Sequence, residues 1–121
     1  MSLLSTFYTI TAKEEIASDE FRFHVSLNPQ HPIFEGHFPS NPVTPGVVQL
    51  EMLKVLVGEI KGSRVNLLKL TNCKYTAILD PNINPSVVFK ISITAIAETF
   101  KVNAILEDDK IFAKISAVYG I

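Results

Sequence analysis

His37 and Glu51 stand fourteen residues apart, and the chain between them passes through Pro39, Pro42 and Pro45 before reaching Gly46. A histidine takes up and releases protons near neutral pH without special help. Glu51 lies between Leu50 and Met52; a carboxyl in an apolar setting is costly in its charged form, which makes it a candidate acid. Each residue also has a plainer reading. Glu51 could pair with Lys54 at i+3 on a helix surface, worth about 0.2–0.5 kcal/mol, and His37 could be a loop imidazole bonded to backbone. Gly46 supplies a third group. The first N–H groups of a helix lack intrahelical partners and carry the positive end of its dipole. With Thr44 as N-cap satisfying the amide of Val47, the N–H of Gly46 would stay free, with no side chain to obstruct an incoming carbonyl. The glycine could equally ease a tight junction. A free N–H that polarises a carbonyl, a histidine that removes the adjacent proton and an acid that protonates the departing group suit one chemistry: loss of water from a β-hydroxy carbonyl compound, or its addition.

The elements that would position these groups follow from the same stretch. The prolines fix φ and disfavour helix before them, so His37 to Thr44 reads as a stiff arm. Thr44 as N-cap and Pro45 as first helical residue predict a helix to about Lys61, stopped by Gly62. Val47, Val48, Leu50, Met52, Leu53, Val55, Leu56, Val57 and Ile60 point in nearly every direction around its axis, the pattern of a helix buried on all sides. No second helix of comparable strength is present, so strands must cover it. Ser5 to Thr11 reads as a first strand and Lys13 to Glu20 as a connection. Phe21, Phe23, Val25 and Leu27 alternate with polar residues as a half-buried strand. Val65 to Leu79 reads as one bulged strand that ends at the turn Asp80-Pro81-Asn82. Val87 to Ala97, Phe100 to Glu107 and Ile111 to Tyr119 alternate in turn and suggest an antiparallel meander. The expected architecture is α+β, a curved antiparallel sheet wrapped around one long helix, in a single domain over 1–121. One sheet covers only one side of a helix, and the simplest cover for the other is a second copy about a two-fold axis.

Composition narrows the classes. The chain is 47% hydrophobic and 19% charged, which is globular and not disordered. A net charge of -1 gives no electrostatic reason to expect nucleic acid. No apolar run is long enough to span a membrane, and no basic-then-apolar leader precedes the first strand. The single cysteine, Cys73, fits a reducing compartment, and a cytoplasmic protein is expected. His24 falls on the polar face of its strand, where solvation is its ordinary role. His31, Glu35 and His37 share a loop without a suitably spaced fourth ligand, so no metal site is expected.

Gly36-His37-Phe38-Pro39, Pro42, Pro45-Gly46-Val47 and Glu51 resemble, in type and spacing, the 3-hydroxyacyl-[acyl-carrier-protein] dehydratases of fatty-acid synthesis. Lys74-Tyr75 with Asp80-Pro81 and the final hairpin resemble the same family more weakly. The resemblance implies the hot-dog fold, in which a sheet wraps a long helix, built from dimers either alone or as trimers of dimers. It implies that His37 is the base, that Glu51 from the partner subunit is the acid, and that the N–H of Gly46 holds the thioester oxygen. Phe38, Pro45, Gly46, Val47 and Val55 would line the acyl site, an apolar tunnel between the two central helices. The substrate would arrive on the phosphopantetheine of an acidic acyl carrier protein, with no other cofactor. Two departures stand out. Family members often carry Ala-Met-Ala-Gln after the glutamate, where this chain has Met52-Leu53-Lys54-Val55. Residues Asn28 to Phe34 resemble a variant with His-Pro before the phenylalanine, found in relatives serving specialised lipid or polyene pathways. Two other functions compete with the dehydratase: a thioesterase using Glu51 to activate water, and a non-catalytic acyl-binding or partner subunit.

Overall fold

The computed structural model describes residues 6–32 and 43–121. The elements run β1 (Tyr8–Ala17), β2 (Glu20–Leu27), α1 (Gly46–Lys61), β3 (Asn66–Tyr75), β4 (Ser86–Ile96), β5 (Thr99–Glu107) and β6 (Ile111–Gly120). The strands form one antiparallel sheet in the order β1-β2-β4-β5-β6-β3. The expected α+β architecture is therefore present, with some changes of detail.

First, Lys13 to Ala17 is strand and not a connection. Beyond an irregularity between Ile10 and Ala12 the register resumes, Ala12 opposite His24 and Glu15 opposite Phe21. Charged residues are at home there because β1 is the sheet edge, where one rim and both faces can stay wet. Second, the meander is confined to β4, β5 and β6. The helix carries the chain across the inner face to the far edge, where β3 pairs with β6, and β4 returns to fill the place beside β2.

The alternating residues are turned inward as their period requires. Phe21, Phe23, Val25 and Leu27 on β2 meet Val87, Phe89, Ile91 and Ile93 on β4, with Val102, Ala104 and Leu106 on β5 continuing the layer, all buried. Against this face α1 lays Val48, Met52, Leu53, Leu56 and Val57, also buried. Gly62 stops the helix in the left-handed region at φ 66, its N–H bonded to the carbonyl of Gly58, a conformation that glycine adopts without a Cβ penalty. β3 is bulged, with register shifts between Leu67 and Lys69 and between Leu70 and Asn72. It ends at Tyr75, before the expected Leu79. The following loop turns at Asp80, whose carboxylate accepts from the N–H of Asn82 at 2.9 Å. Asn84 is buried and donates to both Asp108 and Asp109 at 2.9 Å, which fastens this loop to the β5–β6 turn.

Candidate active site

The start of α1 lies one residue later than expected. Pro45 has extended backbone (φ -60, ψ 147) and serves as the N-cap, without a side-chain capping bond, and Gly46 is the first helical residue. The shift moves Thr44 outside the helix. Its N–H donates to the Leu79 carbonyl at 2.8 Å, its side chain is buried, and its Oγ1 finds no partner among the described residues. Thr44 therefore does not cap Val47. The amides of Val48 and Gln49 donate to the Pro45 carbonyl at 3.1 and 3.2 Å. For the amides of Gly46 and Val47 no acceptor is present among the described residues. With no acidic residue in the first turn, two donors and the positive end of the dipole stay uncompensated among the described residues.

The reason for a glycine at 46 is different from the one its sequence position suggests. A Cβ built there would meet the ring of Tyr75 at 2.5 to 2.7 Å. The same Tyr75 donates its hydroxyl hydrogen to the Gly46 carbonyl at 2.8 Å. A side chain at 46 would have to displace the tyrosine packed across it. Gln49 has no part in the motif read from the sequence. It is 3% exposed, its amide nitrogen donates to the Thr44 carbonyl at 3.2 Å, and its Oε1 has no partner among the described residues. A polar residue inside an apolar helical run was the available signal for Gln49. For Tyr75 the contact is long-range, and the strand pattern alone held no signal.

Val47, Glu51 and Val55 recur every four residues and form one stripe of α1, facing away from the sheet. Val47 is 73% exposed, Val55 is 38% exposed and Glu51 is half-buried. The expectation of burial on all sides thus holds only for the sheet-facing side of the single chain. The ion pair of Glu51 with Lys54 does not form; the salt bridges among the described residues are His24 with Glu14 and Lys90 with Glu107. An open groove of about 650 Å³ runs along this side past Glu51, Lys54, Val55 and Glu59 to the turn before β3. Glu51 makes itself felt on two phenols. Burial chiefly, and then the negative charge of Glu51, push the Tyr119 hydroxyl up to about 12 and raise that of Tyr8 above its ordinary value.

The structure brings Pro45, Gly46 and Val47 together at the helix start, with Glu51 and Val55 one and two turns along. His37 and Phe38, the remaining members of the expected site, lie outside the described residues. His31 is buried, with its ring edge-on to Phe7 at 5.5 Å between centroids. His24 contacts Glu14 on the outer face of the sheet.

A six-stranded antiparallel sheet curved around one helix that opens on a glycine is a hot-dog fold, and solved structures share it. The likeness to the ApeI:P dehydratase heterocomplex of Xenorhabdus doucetiae has a TM-score of 0.74 at 19% identity, over 93% of this chain and 97% of that one. CurJ dehydratase matches with a TM-score of 0.60 at 14% identity, over 93% of this chain and 41% of that one. The family model described as ApeI dehydratase matches residues 13–115, and the chain belongs to this ApeI-like family. Among curated proteins it is 28% identical over 78 residues to the 3-hydroxyacyl-[acyl-carrier-protein] dehydratase FabZ of Caldanaerobacter subterraneus subsp. tengcongensis, over 59% of this chain and 54% of that protein. It is 36% identical over 66 residues to FabZ of Rickettsia felis, over 48% and 44%. The chain spans about half the length of the curated relatives it matches.

Proposed function

We propose that the protein dehydrates a 3-hydroxyacyl thioester to the trans-2-enoyl thioester. The observation that carries this reading is the pair of amides at Gly46 and Val47 that find no acceptor among the described residues, with Glu51 one turn further along the same open stripe. In the reaction, His37 takes a proton from the carbon next to the thioester carbonyl. Charge that builds on the carbonyl oxygen is held by the Gly46 N–H, in a place where the helix dipole favours it. Glu51 then gives its proton to the β-hydroxyl, which leaves as water while the double bond forms. Phe38, Pro45, Val47 and Val55 would border the acyl chain, and the thioester would be carried on the phosphopantetheine of an acyl carrier protein, as the printed names of the curated relatives suggest.

The open stripe also bears on assembly. Val47 and Val55, together with Leu67, Leu68 and Leu70 on the free edge of β3, leave apolar surface exposed in the single chain. A second hot-dog subunit laid along α1 would cover it and would supply Glu51 to the other chain's His37. A second copy is the simplest such partner. The Xenorhabdus doucetiae neighbour is described as part of a heterocomplex of dehydratases, which makes a related but different subunit the other arrangement to test.

The experiment is to follow enoyl absorbance from a 3-hydroxyacyl thioester on carrier protein, with wild type, His37→Ala and Glu51→Gln compared at equal, measured oligomeric state. Wild type should form product, and each variant should lose at least about a hundredfold in kcat. Free acid released in place of enoyl product would favour the thioesterase. Absence of both products, with the assembly intact, would favour a binding subunit.

A further inference from the structure

We propose that Tyr75 is a positioning residue of this site, fixing the peptide between Gly46 and Val47 so that the two free amides converge on the thioester oxygen. This rests on the function proposed above and adds to it a residue outside the motif. The argument begins with the rigidity of the peptide unit. Oxygen and N–H lie in one plane and point in opposite directions within it, so holding the oxygen aims the hydrogen. The amide of Gly46 belongs to the peptide whose oxygen is that of Pro45, and that oxygen is held by the amides of Val48 and Gln49. The amide of Val47 belongs to the next peptide, whose oxygen is that of Gly46. A carbonyl in the first turn accepts from the amide four residues on, and Tyr75 occupies its second lone pair at 2.8 Å. Both peptides that carry a free donor are thus anchored through their oxygens, one by the helix itself and the other by Tyr75. Donation to a carbonyl also polarises its own N–H, making it a stronger donor.

Three further features fit a positioning role. The ring lies where a side chain at 46 would stand, which blocks sideways movement of the first turn toward β3. The anchor is itself anchored, because the neighbouring Thr76 donates from its hydroxyl to the Ile111 carbonyl at 2.6 Å and from its amide to the Phe112 carbonyl at 2.9 Å. Partial desolvation chiefly, and then Cys73 two residues earlier on the strand, raise the Tyr75 hydroxyl above its ordinary range, so it remains a donor.

The test is Tyr75→Phe, which keeps the ring and removes the hydroxyl, with Tyr75→Trp as a second variant that keeps an aromatic face without a donor at the same place. Backbone amide resonances of Gly46 and Val47 are recorded in each protein, alongside kcat, KM and the thermal midpoint. Removing a whole oxyanion donor costs about 10²–10³ in kcat, so disorienting one should cost about tenfold. For Tyr75→Phe we expect that tenfold loss in kcat, KM within about twofold, a midpoint within about 3 °C and a displaced Val47 amide signal. A loss confined to KM or to the midpoint, or kcat unchanged within about twofold, would overturn the assignment. The two proposals fail separately. If wild type forms no enoyl product the dehydratase reading falls, and the amide signals still decide the placement of Tyr75: an unmoved Val47 amide in Tyr75→Phe refutes it.

Discussion

The two sides of α1 differ sharply in how far they are covered. Toward the sheet, Met52, Leu53, Leu56 and Val57 are wholly buried in the hydrophobic core that the strands share. Away from it, Val47, Glu51 and Val55 repeat the same helical spacing in the open. Both sides are built from similar aliphatic residues, so hydrophobicity alone does not separate them. What separates them is whether the chain itself supplies a cover. The sheet-facing side is bound up with folding of one chain, and the other side is left for chemistry and for a partner.

Truncation on the two sides is the sharpest way to break this contrast. Leu53→Ala should cost about 2–5 kcal/mol in urea unfolding, because the lost contacts and the cavity add. Val55→Ala should cost under about 0.5 kcal/mol in dilute protein, and a cost that grows with protein concentration would show that a partner covers it. Equal costs in dilute protein would mean that the two sides are not different after all. Gly46→Ala is expected to be intermediate. Its Cβ would meet the Tyr75 ring at 2.5 Å, and such overpacking costs about 1–3 kcal/mol. Combining it with Tyr75→Ala should restore part of that stability, since the ring is the obstacle.

A pH-dependent effect separates the buried phenol from the rest. The Tyr119 hydroxyl is raised to about 12 from the ordinary 10.0. Between those values the unfolded chain has released this proton and the folded chain still holds it. The unfolded state then binds fewer protons, so stability falls as pH rises, at up to about 1.4 kcal/mol per pH unit. Below pH 10 the contribution is fully present. Urea midpoints measured from pH 9 to 12 should fall more steeply for wild type than for Tyr119→Phe; parallel curves would remove this tyrosine from the account.

Most of the scaffold was legible because local rules decide it. Period-two alternation marked the inward residues of β2 and β4, and Gly62 marked the end of the helix. Two features escaped because non-local pairing overrides local character. The charged run Lys13 to Glu15 is a strand only because β2 lies beside it, and β3 reaches the far edge only because the helix spans the sheet. At the site, the spacing from Pro45 to Glu51 led directly to the helix start and its open stripe. The capping role of Thr44 failed because Pro45 stays extended, which displaces the helix by one residue. The reason for Gly46 could not be read at all, since it depends on Tyr75, 29 residues later.

The place of β3 in the sheet also sets an order of events. Its partner is β6, with Cys73 opposite Ile115 and Tyr75 opposite Ala113. A ribosome making this chain emits β3 well before β6, so Leu67, Leu68 and Leu70 wait unpaired while the intervening hairpin is synthesised. During that interval they offer a sticky edge to chaperones or to other nascent chains. Tyr75 sits at the end of the same strand, and Thr76 beside it is fastened only when Ile111 and Phe112 arrive. The amides of the helix start are therefore brought to their final aim late, after the last hairpin has closed, and a truncated chain would leave them unset.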